Sequence, residues 1–427
     1  MLTLVKFGSA RFVAWRYAHG WLQARVKRIG IHDILVIRYF FRMTINSEKK
    51  QNSAPADRKV NNMTNNSAYK YKPDWARAQA RWDAYWALEA TDRPCMSVCA
   101  PRTDGKKIQL PELKSVEDKW MNPEYVLAQA LKSLEEKYLG GEACPSAGTG
   151  MAYTTMGCDG YLKFYENCID ITPSMTSMDQ PLNWHPGPQD PWRPRVEAIL
   201  NRILDEAPGR YIVTPPGQYP HIDLLYMLRG SENMLLDLAM YPEQCKARLL
   251  EMRALAEEEQ NHFRRLVNTR QGDVGYVSWG GVWSRQVFYM TQADCAANIS
   301  PEMFADIVLP ELDVLGERYE RLWYHTCGYK QHLELCLSRP YMRVIQYSPN
   351  PKEPGNGPAH LEFYRRVQEA RRCLDINVGS EHVEFLVRHL RPEGLHIATT
   401  VNSIAEVEEL LAKAVKWCGT DINRSLP

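Results

Sequence analysis

The chain has eleven cysteines but no CxxC pair, and no apolar run long enough to cross a bilayer. No GxGxxG follows its first strand-like segment, and the stretch GGEACPSAGTG, loosely like a phosphate loop, lacks the GK[ST] ending. Each absence removes a class of protein. An odd number of scattered cysteines in 427 residues argues against a disulfide framework and for a reduced, cytoplasmic protein. Without about 20 consecutive apolar residues there is no membrane span to expect. Without the glycine fingerprint an open dinucleotide-binding sheet is the lesser alternative, and without GK[ST] a nucleotide P-loop is set aside. No repeat of fixed period is visible.

Charge excess is also lacking, though the net charge of +1 hides an asymmetry. Residues before Met43 carry eight Lys/Arg and one acid, Asp33, which leaves 44 basic and 50 acidic residues in the remainder. A body with a net charge of −6 offers no general attraction for nucleic acid. Residues 1–72 therefore read as a basic, aromatic head followed by a polar, disordered linker outside the fold. The head reads either as a targeting or membrane-surface segment or as sequence upstream of a natural start at Met43 or Met63, and the second reading is preferred. A secretory signal is not expected, because arginines interrupt the apolar stretches.

From residue 73 to 420 the chain turns regular. DWARAQARWDAYWALE spaces Trp75, Trp82, Tyr85 and Trp86 as one helical face. Strand-like segments follow at 94–100, 143–151, 211–215, 274–279, 321–327, 343–347, 373–378 and 395–401, with helical patterns between them. Ser300 is expected to cap a helix that Pro310 then kinks or interrupts. Eight strands alternating with helices predict a parallel sheet closed as a (β/α)8 TIM barrel, with an N-terminal helical extension. In such a barrel the chemistry collects at the C-terminal ends of the strands.

The sharpest signal is YHTCG. His325 and Cys327, two residues apart on a strand, project from one face, and imidazole with thiolate suits zinc. Read plainly, they are a strand-end histidine and a small buried hydrophobe. Asp294, Gln346, Asp375 and Asn377 are expected on the same rim. Gln346 and Asp375 either act on substrate or satisfy one another inside the barrel. SWGGVWSRQVFY adds Trp279, Trp283 and Tyr289, which line a substrate pocket or simply pack beneath a loop.

The stretches WSRQVFYMTQADCAANISPEMFADIVLPEL, YHTCG, IQYSPNPKEPGNGP and GLHIATTVNSIAEVEELLAKAVKW, in that order, resemble the uroporphyrinogen decarboxylase superfamily. The similarity is nearer to its branch of corrinoid- and coenzyme M-type methyltransferases. The resemblance implies a (β/α)8 barrel, a small-molecule substrate, a corrinoid-carrying partner, and zinc held by His325, Cys327 and a later cysteine. The residue at that later position is Val401, so the remaining ligand is expected from Asp294 or Cys295. In the decarboxylase branch, Asp294 would instead bind a porphyrin-like substrate. The arginine-rich motif of that branch is reduced here to Arg93 and Arg102. A metal-independent lyase and a non-catalytic binding barrel remain the alternatives.

Overall fold

The computed structural model describes residues 68–158, 161–216 and 221–419. The basic head and the linker as far as residue 67 lie outside the described residues. Tyr69, Tyr71 and Lys72, which the sequence places in the linker, are buried in the fold. The Tyr71 hydroxyl donates to Glu135 at 2.8 Å, and Lys72 Nζ donates to the Leu139 carbonyl at 2.9 Å.

In chain order the strands are β1 (Cys95–Pro101), β2 (Lys137–Gly141), β3 (Ser146–Ala147), β4 (Leu162–Phe164) and β5 (Ile169–Ile171). They continue with β6 (Ile212–Val213), β7 (Tyr276–Val277), β8 (Trp283–Ser284) and β9 (Tyr289–Gln292). The last four are β10 (Leu322–Cys327), β11 (Met342–Ser348), β12 (Cys373–Asn377) and β13 (Leu395–Thr400). Each of the eight expected segments contains a strand.

Seven strands form one sheet in the order β2-β1-β13-β12-β11-β10-β9. All neighbours are parallel except β2 against β1. The remaining strands form three short pairs, β3–β6 (parallel), β4–β5 and β7–β8 (both antiparallel). Among the described residues the hydrogen-bonded ladder does not run round into a closed ring. Gly141 makes the exit from β2 possible: its φ is +60°, and a Cβ there would lie 2.1 Å from the Met96 carbonyl oxygen.

The sheet is covered on both faces, as a parallel sheet connected by helices requires. Leu322, Tyr324, Ile345, Tyr347, Leu374, Ile376, Leu395 and Ile397 pack into the larger core beneath the connecting helices. The alternate residues Trp323, Val344, Cys373 and Cys95 join a second cluster with Trp75, Trp82, Tyr85 and Trp86 of the first described helix, Trp75–Ala87. That helix lies across the N-terminal ends of the strands. The Cys373 thiol donates to the Tyr85 carbonyl at 3.3 Å, Arg343 reaches the Trp86 carbonyl at 3.0 Å, and the Trp86 indole donates to the Trp283 carbonyl at 2.8 Å. With this end plugged by aromatic rings, the inward polar residues face the other end. No helix among the described residues is long and apolar enough to cross a membrane.

Candidate functional site

The register of the parallel strands sets one inward row. Gln292 pairs with His325, His325 with Gln346, Gln346 with Asp375, and Asp375 with His396. Residues in register on adjacent strands share a face, so five polar side chains line the layer above the Trp323–Val344–Cys373 floor.

His325 is oriented by Gln346. The amide nitrogen of Gln346 donates to the Tyr347 carbonyl and to Ser348 Oγ, both at 3.2 Å. Its oxygen is therefore the atom facing His325 Nδ1, with which it hydrogen-bonds. Nδ1 carries the proton, and Nε2 keeps a free lone pair.

Asp294 stands 3.8 Å from that nitrogen through Oδ1, a buried atom without a hydrogen-bond partner. Its other oxygen accepts from the Gln292 amide at 3.1 Å. Asp294 opens a short 3-10 turn after β9, and Asp223 holds that turn in place. Asp223 accepts the backbone N–H groups of Asp294 and Cys295, each at 2.9 Å, and the Gln292 amide at 3.2 Å. Burial, and then the neighbouring Asp223, push the Asp294 carboxyl up to about 6, against the pull of His325.

Cys327 completes the cluster. One donor atom each from Asp294, His325 and Cys327 lie within 4.8 Å of one another. Burial, followed by Asp294 and Asp223, pushes the Cys327 thiol up. A thiol between carboxylates is poorly placed to ionise by itself, and a cation reverses that balance. Tetrahedral zinc with bonds of about 2.0–2.3 Å sets its donors about 3.3–3.6 Å apart, so a small inward movement closes the cluster to bonding distance. A free imidazole nitrogen, an orphaned carboxylate oxygen and a thiol suit a zinc-class ion. Three protein ligands would leave a fourth position open.

Beside the cluster lies a cavity of about 520 Å³, whose wall includes Gln292 and Trp279. Ser133, Ser146, Thr149, Thr214 and Ser278 line it, and no charged side chain does so among the described residues. Trp279 is 49% exposed. Its ring stands edge-on to Trp323 at 4.5 Å and lies 6.2 Å from the His325 ring.

The structure brings Asp294, His325, Cys327, Gln346 and Trp279 together, and it separates other residues singled out in the sequence. Trp283 is core, packed edge-on against Trp75 at 5.6 Å, with its indole donating to the Val274 carbonyl. Tyr289 is fully buried, its hydroxyl 3.1 Å from His221 Nε2. Cys295 is buried and is not among the clustered donors. Asp375 does not pair with Gln346; it accepts from Trp323 Nε1 at 3.0 Å and pairs with His396 Nδ1 at 2.7 Å. Asn377 is exposed at the end of β12. Val401 is buried, and its N–H donates to the Cys99 carbonyl. Arg93 is locked in a buried bidentate pair with Glu142, and Arg102 pairs with Asp104. Nothing in the sequence singles out Asp223 or Gln292. An acid in the first turn of a helix reads as a solvated dipole partner, and Asp223 meets Asp294 only across 71 residues of chain.

No family model matches the chain, and no curated protein matches it. Among solved structures it is similar to a methyltransferase from Methanosarcina mazei, with 13% sequence identity and a TM-score of 0.47. That likeness covers 79% of this chain and 98% of the other.

Proposed function

We propose that this is a barrel-type methyltransferase in which Asp294, His325 and Cys327 hold a zinc-class ion beside a cavity for an uncharged small molecule. The observation that carries the reading is the convergence of those three donor atoms within 4.8 Å at the C-terminal ends of β9 and β10. The barrel is supported by the cavity wall, which takes residues from the ends of β3, β6, β7 and β9. The order and spacing of the motifs quoted above add a corrinoid-bearing partner as methyl donor. When bound, such an ion lowers the pKa of a coordinated thiol and so favours the thiolate that accepts a methyl group.

The chain's own side chains do the rest. Gln346 fixes the tautomer of His325, Asp223 fixes the turn that carries Asp294, and Trp279 offers a flat apolar wall. The lyase alternative is disfavoured by the cavity: a porphyrin-like polycarboxylate needs counter-charges, and Arg93 and Arg102 are engaged with Glu142 and Asp104.

Elemental analysis after zinc loading tests the site. About one zinc per chain is expected, falling sharply in Cys327→Ser and Asp294→Ala. Zinc at background in the wild type, or undiminished in both variants, overturns the site. Loss of methyl from free methylcobalamin to a small thiol, followed by the cobalamin spectrum, then tests the chemistry.

A further inference from the structure

Three strands away from the zinc-class cluster's histidine, along the same inward row, stands a second histidine that the proposed methyl transfer does not use. His396 is fully buried, with its ring 4.8 Å from that of Trp82. Its Nδ1 lies 2.7 Å from Asp375 Oδ1, and its Nε2 lies 2.9 Å from Ser97 Oγ. Asp375 is held on its other oxygen by the Trp323 indole at 3.0 Å. The backbone at Gly280 packs so closely that a Cβ there would lie 2.9 Å from Asp375 Oδ2. An ionised carboxylate only accepts, so the proton of the ring sits on Nδ1 and Nε2 is the acceptor for the Ser97 hydroxyl. Serine, base and orienting carboxylate thus form a continuous hydrogen-bonded line across β1, β13 and β12. Base and acid are buried, and the serine is partly exposed. That is the order of roles found in serine hydrolases on unrelated folds.

We propose that Ser97, His396 and Asp375 form a second reactive centre, in which the Ser97 hydroxyl is a base-activated nucleophile toward small carboxylic esters. The Ser97 oxygen bonds to the acyl carbon while its proton passes to His396 Nε2. The ester's C–O bond breaks, and the alcohol leaves with that proton. Water then attacks the acyl-serine through the same base, releases the acid and restores the hydroxyl. Asp375 holds the ring in its tautomer and stabilises its charged form. The centre does not rest on the metal reading, because none of its three residues belongs to the zinc-class cluster. A merely structural line, in which Ser97 satisfies a buried imidazole, would leave the serine inert.

A fluorophosphonate probe separates the two. The Ser97 oxygen bonds to phosphorus, the P–F bond breaks, fluoride leaves, and the proton goes through His396 to solvent. Incubation of the full chain followed by peptide mapping is expected to place one adduct on Ser97, absent in Ser97→Ala. Labelling should slow by about a hundredfold or more in His396→Gln, the scale of a lost general base. If that variant does not fold, as judged by circular dichroism, Asp375→Asn carries the same comparison. Absence of a Ser97 adduct on the folded wild type, or equal labelling rates in a folded base or carboxylate variant, overturns the centre.

Discussion

At Asp294 two demands conflict. The carboxyl is partly buried and packed beside Asp223, which favours its protonated form, while His325 pulls the other way. Its pKa in the fold, about 6, lies above the unfolded value of about 3.9. The folded chain therefore binds more protons than the unfolded one between those values, and stability falls as pH rises through that window. The side chain is 43% exposed, so solvent screening limits the cost at neutral pH to about 1 kcal/mol. Asp294→Asn should melt higher than wild type at pH 7.5 in the absence of metal, with the gap narrowing as pH falls through 6 toward 4. With saturating zinc the order should reverse. Ligand at about a hundredfold over its dissociation constant stabilises by about 2.7 kcal/mol, and the variant loses a donor. Thermal melts at several pH values, with and without zinc, check both halves. A variant that melts lower than wild type at pH 7.5 without metal would refute the strain assigned to this carboxyl.

The helix Trp75–Ala87 shows how one element serves a distant site. Its apolar face is legible from spacing alone, but its placement across the strand ends is not. Trp82 is fully buried, donates to the Glu142 carbonyl at 3.0 Å and lies against His396. Trp82→Ala should lower the unfolding free energy by about 3–5 kcal/mol, and Trp82→Phe by less, as denaturant titration would record. A loss below about 1 kcal/mol would mean that the Trp82 ring is not packed in the core as described. The segment after Ser300 carries a second local lesson. Ser300 caps as expected, its hydroxyl accepting from the Met303 N–H at 3.2 Å. Of the two outcomes expected at Pro310, a kink or an interruption, the structure shows an interruption: five residues, Phe304–Val308, wind as a π-turn before the helix resumes at Leu309. The wider turn accommodates a proline that has no N–H to donate.

For the whole molecule, the boundary of the folded body is the feature that sequence and structure define jointly. Composition separates the basic head from the body, and the burial of Tyr69, Tyr71 and Lys72 carries the packed region back to at least residue 69. A chain beginning at Met63 should keep the full-length melting temperature. One beginning at Asp74 should melt several degrees lower, because it loses two buried tyrosines and the buried Lys72 contact to Leu139. Equal melting of all three would show that residues 69–72 contribute nothing to the fold, and a drop already at Met63 would show that the head packs on the body.

What the sequence by itself determined was local. Period-two alternation put His325 and Cys327 on one face, helical spacing identified the aromatic face of the first described helix, and Ser300 marked a cap. These are properties of neighbouring residues, set by backbone geometry within a few positions. Tertiary structure alone decided the rest. Asp294 rather than Cys295 meets the histidine, because Asp223 fixes the turn from 71 residues away. Trp283 and Tyr289 are core rather than pocket, because the first described helix and His221 cover them. His396 turns toward Ser97 across 299 residues of chain. Strand register creates such neighbours, and register follows from the packing of the whole sheet, which no single segment encodes.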